Sequence, residues 1–388
     1  MSAILIYLFP TVIDMVLASV FFMTTVWAAE HGVSASGVSN LLTAWAGVYM
    51  ICAYLVGRVV GKRNAAWLMI AACVATALLS AALAGAASLP VMYALVALEG
   101  VAMALFFIPF QVFMKVVGQR KQQSIPASVG LYTFSWSSGY AIGPFVAGML
   151  WGPLGWRGCH AINGLAAIGV AIGTYLIHRH IVRSPAPVES DQSNRSLASA
   201  AADYAGKPDL AWMSWIFGGM GCIAVAAVRG IFPSSGTACG VPKFEQGLIL
   251  AALSAVQALV GLSLGRGKWW MYRPLPILGF GLCGVAALVL FSISRTPAAF
   301  FIAAVCFGVY SGSFFFYFVF HSLVHPDRSG RYVSVNETVV GLTGIIGPVL
   351  AGLAADKLAL WAPYLMAAGM VAVGICVQAA IHARKERW

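Results

Sequence analysis

Charge is what this chain has least of. Of its 388 residues only 9% are Asp, Glu, Lys or Arg, and the acidic ones number 12. A soluble domain carries about 25% charged residues, so a water-soluble globule is excluded. With 61% apolar residues, intrinsic disorder is excluded too. Cysteine is sparse at eight residues, which rules out a disulfide-stapled scaffold. The chain shows no phosphate-binding glycine loop, no Cys-x-x-Cys pair and no metal-ligand spacing among its seven His. ATP-driven pumping, thiol redox chemistry and a bound metal or cofactor are therefore not expected. No nucleophile–base pair emerges, and an enzyme is not expected.

What the chain has is hydrophobic length. A spanning helix needs about 20 apolar residues. Charge-free runs of 27 residues lie between Glu30 and Arg58, and of 26 between Lys357 and Arg384. Longer runs divide at turn signals, Ala-Ser-Leu-Pro at 87–90 and Trp-Gly-Pro-Leu-Gly at 151–155. The reading is twelve spans, near 4–28, 36–58, 65–87, 90–114, 127–150, 158–178, 211–232, 244–264, 273–294, 297–321, 332–354 and 360–383. The runs are continuously apolar rather than alternating, which predicts helices and not a barrel. The expected fold class is an all-α membrane protein of 12 transmembrane helices.

Orientation follows from Lys and Arg. An even number of spans puts both termini on one side. That side collects 18 basic residues, among them Arg58, Lys62, Arg63, Arg179 and Arg266; the other has five, Arg157, Arg229, Lys243, Arg295 and Lys357. The termini are expected in the cytoplasm, in an inner (plasma) membrane. This bias accounts for the net charge of +11 without a nucleic-acid partner. Cys159 and Cys239 fall near the outer side, where a disulfide is open. Residues 179–210 break the pattern, with eight charges in 32 residues. They read as a cytoplasmic linker between two bundles, 1–178 and 211–388.

The two halves repeat. Leu55-Val56-Gly57 and Gly61-Lys62 match Leu259-Val260-Gly261 and Gly265-Arg266, displaced by 204 residues. Gly143-Pro144-Phe145-Val146-Ala147-Gly148 matches Gly347-Pro348-Val349-Leu350-Ala351-Gly352 at the same displacement. Two motifs sharing one offset indicate a six-plus-six duplication in a single orientation, hence two pseudo-symmetric six-helix bundles that rock about a shared site.

These motifs resemble the major facilitator superfamily over the whole chain. Gly57-x-x-x-Gly61-Lys62-Arg63-Asn64 is similar to that family's loop 2–3 motif, with Gly61 where the family has Asp and Asn64 where it has a second Gly. Gly130, Gly139, Gly143-Pro144 and Ala147-Gly148 resemble the fifth-helix signature of its antiporters, and Gly155-Trp156-Arg157 the usual entry to helix six. Where proton-coupled members often carry an Arg in helix four, this chain has Val96, followed by Glu99-Gly100. The resemblance implies a secondary transporter working by alternating access. The direct physical role of the glycines is close helix packing, and Gly-Pro gives a kink.

Ionisable residues inside spans are costly and face the interior. Asp14 and Glu99 each fall about 9 residues into their spans, roughly 13 Å deep. Both are candidate proton carriers, against a structural role as hydrogen-bonded carboxyls. Arg229 reads as near the outer end of its span, where snorkelling competes with attraction of an anionic substrate or pairing with a carboxylate across the cavity. Glu337, about 5 residues into its span, fits a cytoplasmic gate partnered by Arg331 or a basic loop. Phe110 and Tyr317, in aromatic-rich spans four and ten, are the cavity-face candidates for a planar, amphipathic or cationic substrate. The leading expectation is proton-coupled export of a small organic molecule by a monomer, with Asp14 and Glu99 as coupling carboxylates. The alternatives are import of an organic anion through Arg229, and a scaffold that moves nothing.

Overall fold

The computed structural model describes residues 6–61, 63–118, 125–183, 207–324 and 329–385. Lys62 and most of the expected linker, 184–206, lie outside them. Among the described residues there are no strands. Four helices form first: α1 (Leu8–Glu30), α2 (Ala35–Val59), α3 (Ala65–Ala84) and α4 (Leu89–Gly118). A continuous helical stretch, Ile125–Arg183, follows. Its 59 residues would span about 89 Å as one rod, almost three times the bilayer's hydrocarbon core. It breaks at Gly155, whose φ of 65° and ψ of −177° are open essentially to glycine alone, into α5 (125–154) and α6 (156–183). The second half comprises α7 (Ala211–Ala238), α8 (Lys243–Arg266), α9 (Pro274–Ile293), α10 (Pro297–Leu323), α11 (Ser329–Lys357) and α12 (Ala362–Lys385).

Local chemistry marks several starts. Ser34 caps α2 by accepting from the Gly37 N–H at 3.1 Å, and Thr296 does the same for α10 from Ala299. Prolines occupy the first turns of α9 and α10, where no intrahelical donor is needed. Pro233, by contrast, sits inside α7, which continues to Ala238 rather than stopping at 232. Cys159 and Cys239 are both free thiols.

The first bundle is held by an apolar cluster that includes Leu17, Met69, Phe106, Phe110 and Ala167, all essentially buried. The duplication is visible in atomic contacts. A methyl group on Gly143 of α5 would sit 2.4 Å from the Met15 carbonyl oxygen and 2.8 Å from the Ser19 N–H of α1. On Gly347 of α11 it would sit 3.4 Å from the Ile223 Cα of α7. Ser19 and Ile223 are themselves 204 positions apart. Across the bundles, Gly148 admits Lys243 of α8, and Gly352 admits Ser39 of α2, again at that offset. The glycines thus serve contact within each bundle and between bundles, as small residues do in membranes.

The bundles close on the side away from the termini. There the Asp356 carboxylate accepts from the backbone N–H groups of Ala35 (2.9 Å) and Ser36 (3.2 Å) at the start of α2. The Ser39 hydroxyl donates to the Pro348 carbonyl at 2.9 Å, and Lys243 pairs with Glu30 at 2.9 Å. The α2 face that meets α11 carries Ser39, Thr43, Ala46 and Met50. Its continuation toward the terminal side is uncovered: Tyr54 is 62% exposed, and no described atom lies within 4 Å of where a Gly57 side chain would begin. Helices α2 and α11 therefore touch on the far side and part on the terminal side. Below them, Asn64 ties the α2–α3 turn, accepting from the Gly61 N–H at 2.7 Å and donating to the Val59 carbonyl, while Arg63 is exposed.

Candidate functional site between the bundles

Where α1, α2 and α5 of the first half face α7 and α8 of the second, they leave a cavity of about 390 Å³, its open mouth included. Arg229 reaches into it. Because α7 runs on to Ala238, Arg229 is nine residues, about 13 Å, short of the helix end, too deep to snorkel to the interface. Its guanidinium lies instead over the Tyr140 ring, 4.3 Å from the centroid, and Nη2 donates to the Ser254 hydroxyl at 3.3 Å. The cation is thus positioned by one residue from each bundle.

Asp14 approaches the same place from α1. It is buried, at 4% exposure, and Oδ2 has no hydrogen-bond partner among the described residues. The absence of a side chain at Gly139 lets α5 pass against it: a Cβ there would lie 2.6 Å from the Asp14 Cβ. Asp14 and Arg229 are within Coulombic reach of each other without forming a direct ion pair. The Asp14 charge also reaches Tyr49, Tyr132 and Tyr140. Glu337, half-buried on α11, reaches Tyr49 and Tyr132 from the terminal side. The side chain of Arg331, its expected partner, lies outside the described residues. Glu337 is flanked by Asn336, which bonds back to α10 through the Phe318 carbonyl and the Ser322 hydroxyl.

Three expected site residues lie elsewhere. Glu99 points toward α3, within its own bundle, where its Oε2 accepts from the Thr76 hydroxyl at 3.4 Å and Oε1 has no partner among the described residues. Phe110 is fully buried against Phe106 in the first bundle's core. Tyr317 is enclosed in the second bundle, beside Trp270. Helices apolar on every side carry no period to show which face turns inward, so neither depth, for Glu99, nor aromatic content, for Phe110 and Tyr317, could place these side chains.

Sequence depth and charge also passed over the aromatic wall. Tyr132, Trp136 and Tyr140 recur at i, i+4 and i+8 along α5, a spacing that puts them on one face. Trp136 meets Phe315 of α10 edge-on at 4.9 Å, and Tyr49 stacks on Trp45 of α2. One further polar contact crosses the bundles: Gln257 of α8 donates to the Ser137 hydroxyl at 2.7 Å.

The twelve apolar helices of the described residues form two related bundles, closed at one side over a shared cavity that holds the Arg229 cation, and this arrangement is that of a membrane transporter. The sequence places it further: residues 4–324 match the family model of the Major Facilitator Superfamily, and the chain belongs to that family. Two solved structures of the nucleoside transporter NupG, one of them a point mutant, share the fold. Each has a TM-score of 0.68 at 12% identity, covering 98% of this chain and 99% of the other. Comparison with curated protein sequences finds no match.

Proposed function

We propose that this transporter is proton-coupled and carries a small organic anion into the cell, with Arg229 as the substrate's charge partner and Asp14 as the proton site. The observation that supports this reading is that Arg229 lines the inter-bundle cavity while Asp14, buried behind it on α1, lies within its Coulombic reach without pairing directly. Most of the guanidinium's five donors are left for a ligand. The sign of the coupling follows from charge. An ionised Asp14 partly cancels the Arg229 field and repels an arriving anion; protonating it removes both effects. At an effective dielectric of about 20, two unit charges about 4 Å apart interact by about 4 kcal/mol, and each 1.4 kcal/mol that survives at longer range is about tenfold in affinity. Proton and anion thus favour one another's binding, which is the thermodynamic condition for symport. A cationic substrate would compete with the proton for Asp14 and give antiport, so Arg229 in the cavity weighs toward import. The Lys/Arg bias puts the termini in the cytoplasm, which makes the conformation described here inward-facing.

Tyr140 of α5 and Phe21 and Phe22 of α1 put aromatic rings in the cavity lining, which suits a planar substrate. Nucleosides, the class for which the structural neighbour NupG is named a transporter, therefore belong in the test panel as the uncharged planar case. The test is ligand-induced thermal stabilisation of the purified protein by aromatic and aliphatic carboxylates, nucleosides and organic cations. Stabilisation by an anion, stronger at low pH and lost in Arg229→Gln, supports the reading. Stabilisation only by cations, unchanged in Arg229→Gln, overturns it and restores export. Absence of any ligand response favours a scaffold.

A further inference from the structure

A second cavity lies wholly inside the C-terminal bundle, between α7, α9, α10 and α12, and shares no residue with the inter-bundle site. Its outline, open solvent at the mouth included, takes in about 720 Å³. It follows α10 from Tyr310 to His321 and α7 from Met220 to Leu210, so it is a slot about 16 Å long. One end is polar. Tyr317 and His321 both line the slot, at 7% and 5% exposure, and the Tyr317 hydroxyl and His321 Nδ1 are buried at its wall with no hydrogen-bond partner among the described residues. A buried polar atom left unpaired costs about 1–3 kcal/mol, so such pairs of atoms point to a missing partner. The slot's serines do not supply it: Ser214 and Ser313 donate back to their own helices at 2.7 Å. From Tyr317 inward the lining turns to ring faces and aliphatic chains, with Tyr310, Phe314 and Val371 at the deep end.

The other half of the molecule supplies a control. At the positions 204 residues earlier, Phe113 stands for Tyr317, Val117 for His321 and Phe9 for Met213. Phe113 is buried in the first bundle's core, and Phe9 packs over Gly173. In the first bundle Phe113 and Phe9 occupy their positions in this space with rings; the second places hydrogen-bonding groups there, at the end nearest the termini.

We infer that this slot binds a single-chain amphiphile, whose hydrogen-bonding head meets Tyr317 and His321 while its alkyl chain runs inward toward Tyr310. The site is independent of Arg229. A fatty acid and a lysolipid of the adjoining leaflet offer the same oxygen acceptors on the same kind of chain.

Photolabelling of the full chain in phospholipid nanodiscs, with a diazirine analogue of dodecanoic acid, tests this. Label is expected on peptides covering Leu210–Met220 and Tyr310–His321, and it should be displaced by dodecanoic acid. Displacement by dodecanoyl lysophosphatidylcholine but not by dodecanoic acid would assign the site to bilayer lipid. Tyr317→Phe removes a hydroxyl that has no partner to lose, so the variant should fold with unchanged yield and bind the probe about tenfold more weakly. Arg229→Gln should label as the wild type does, whichever substrate the central cavity takes. Label confined to other helices, labelling undiminished in the Tyr317→Phe, His321→Leu double variant, or labelling lost in Arg229→Gln would each overturn the proposal.

Discussion

Removing the Asp356 carboxylate should open the far side of this transporter. Three of the first N–H groups of α2 are satisfied by side chains: Gly37 by Ser34 from its own helix end, and Ala35 and Ser36 by Asp356 from the opposite bundle. The two Asp356 bonds exist only while α2 and α11 are together. A side-chain cap is worth about 1 kcal/mol, and a carboxylate at a helix N-terminus adds a few tenths from the dipole. Asp356 is solvent-exposed, so the lower end applies. About 1 kcal/mol in one conformer shifts a two-state equilibrium about fivefold. The Lys243–Glu30 pair on the same side is about one-third exposed at both partners and contributes less, as exposed ion pairs do. Spin labels on the far ends of α2 and α11 read the outcome as a distance distribution. Asp356→Ala should raise the far-side-open fraction about fivefold, while Lys243→Gln should move it less. An unchanged distribution in Asp356→Ala would show that these bonds do not set the conformational balance.

Other predictions follow from the packing and the cavity. Arg229→Gln should weaken substrate binding about tenfold to a hundredfold by loss of a charge-assisted bond, and Arg229→Lys should not restore it, since the planar fork over Tyr140 is lost; equilibrium binding measures both. Gly143→Leu drives atoms into the Met15 backbone and should lower the melting temperature, at a cost of about 1–3 kcal/mol or more. Gly155→Ala forces a side chain into a glycine-only conformation, and about 1–3 kcal/mol of stability should go with it, read in the same thermal assay. Glu99→Gln should leave substrate affinity within about twofold, because Glu99 faces α3 and not the cavity.

Much of the architecture was legible in the sequence because the bilayer leaves so few options. Charge-free runs located the spans, and the offset of 204 located the duplication, which Gly143 with Ser19 and Gly347 with Ile223 repeat in space. Helix ends were less legible. The seventh span reads as ending at 232, yet α7 accommodates Pro233 and runs to Ala238, and that extension puts Arg229 deep in the helix. Facing was least legible of all. Glu99 and Gly100 are neighbours, but one turns to Thr76 of α3 and the other to the α2 backbone at Trp45. No apolar stripe distinguishes those directions in a helix whose every side is apolar. The signal that could have found the Arg229 partner was aromatic: Tyr132, Trp136 and Tyr140 keep one spacing in the span that also carries Gly139 and Gly143, and Tyr140 of that stripe lines the cavity.

Above all, proton and anion should move together through the site shared by Asp14 and Arg229. The direct measurement uses proteoliposomes enclosing a pH-sensitive dye and challenged with the anion that stabilises the purified protein. Lumenal acidification in step with anion uptake is expected. In Asp14→Asn, anion exchange should persist while net uptake no longer responds to a pH gradient. Anion uptake by the wild type without acidification, or acidification that survives in Asp14→Asn, would contradict coupled movement through this site.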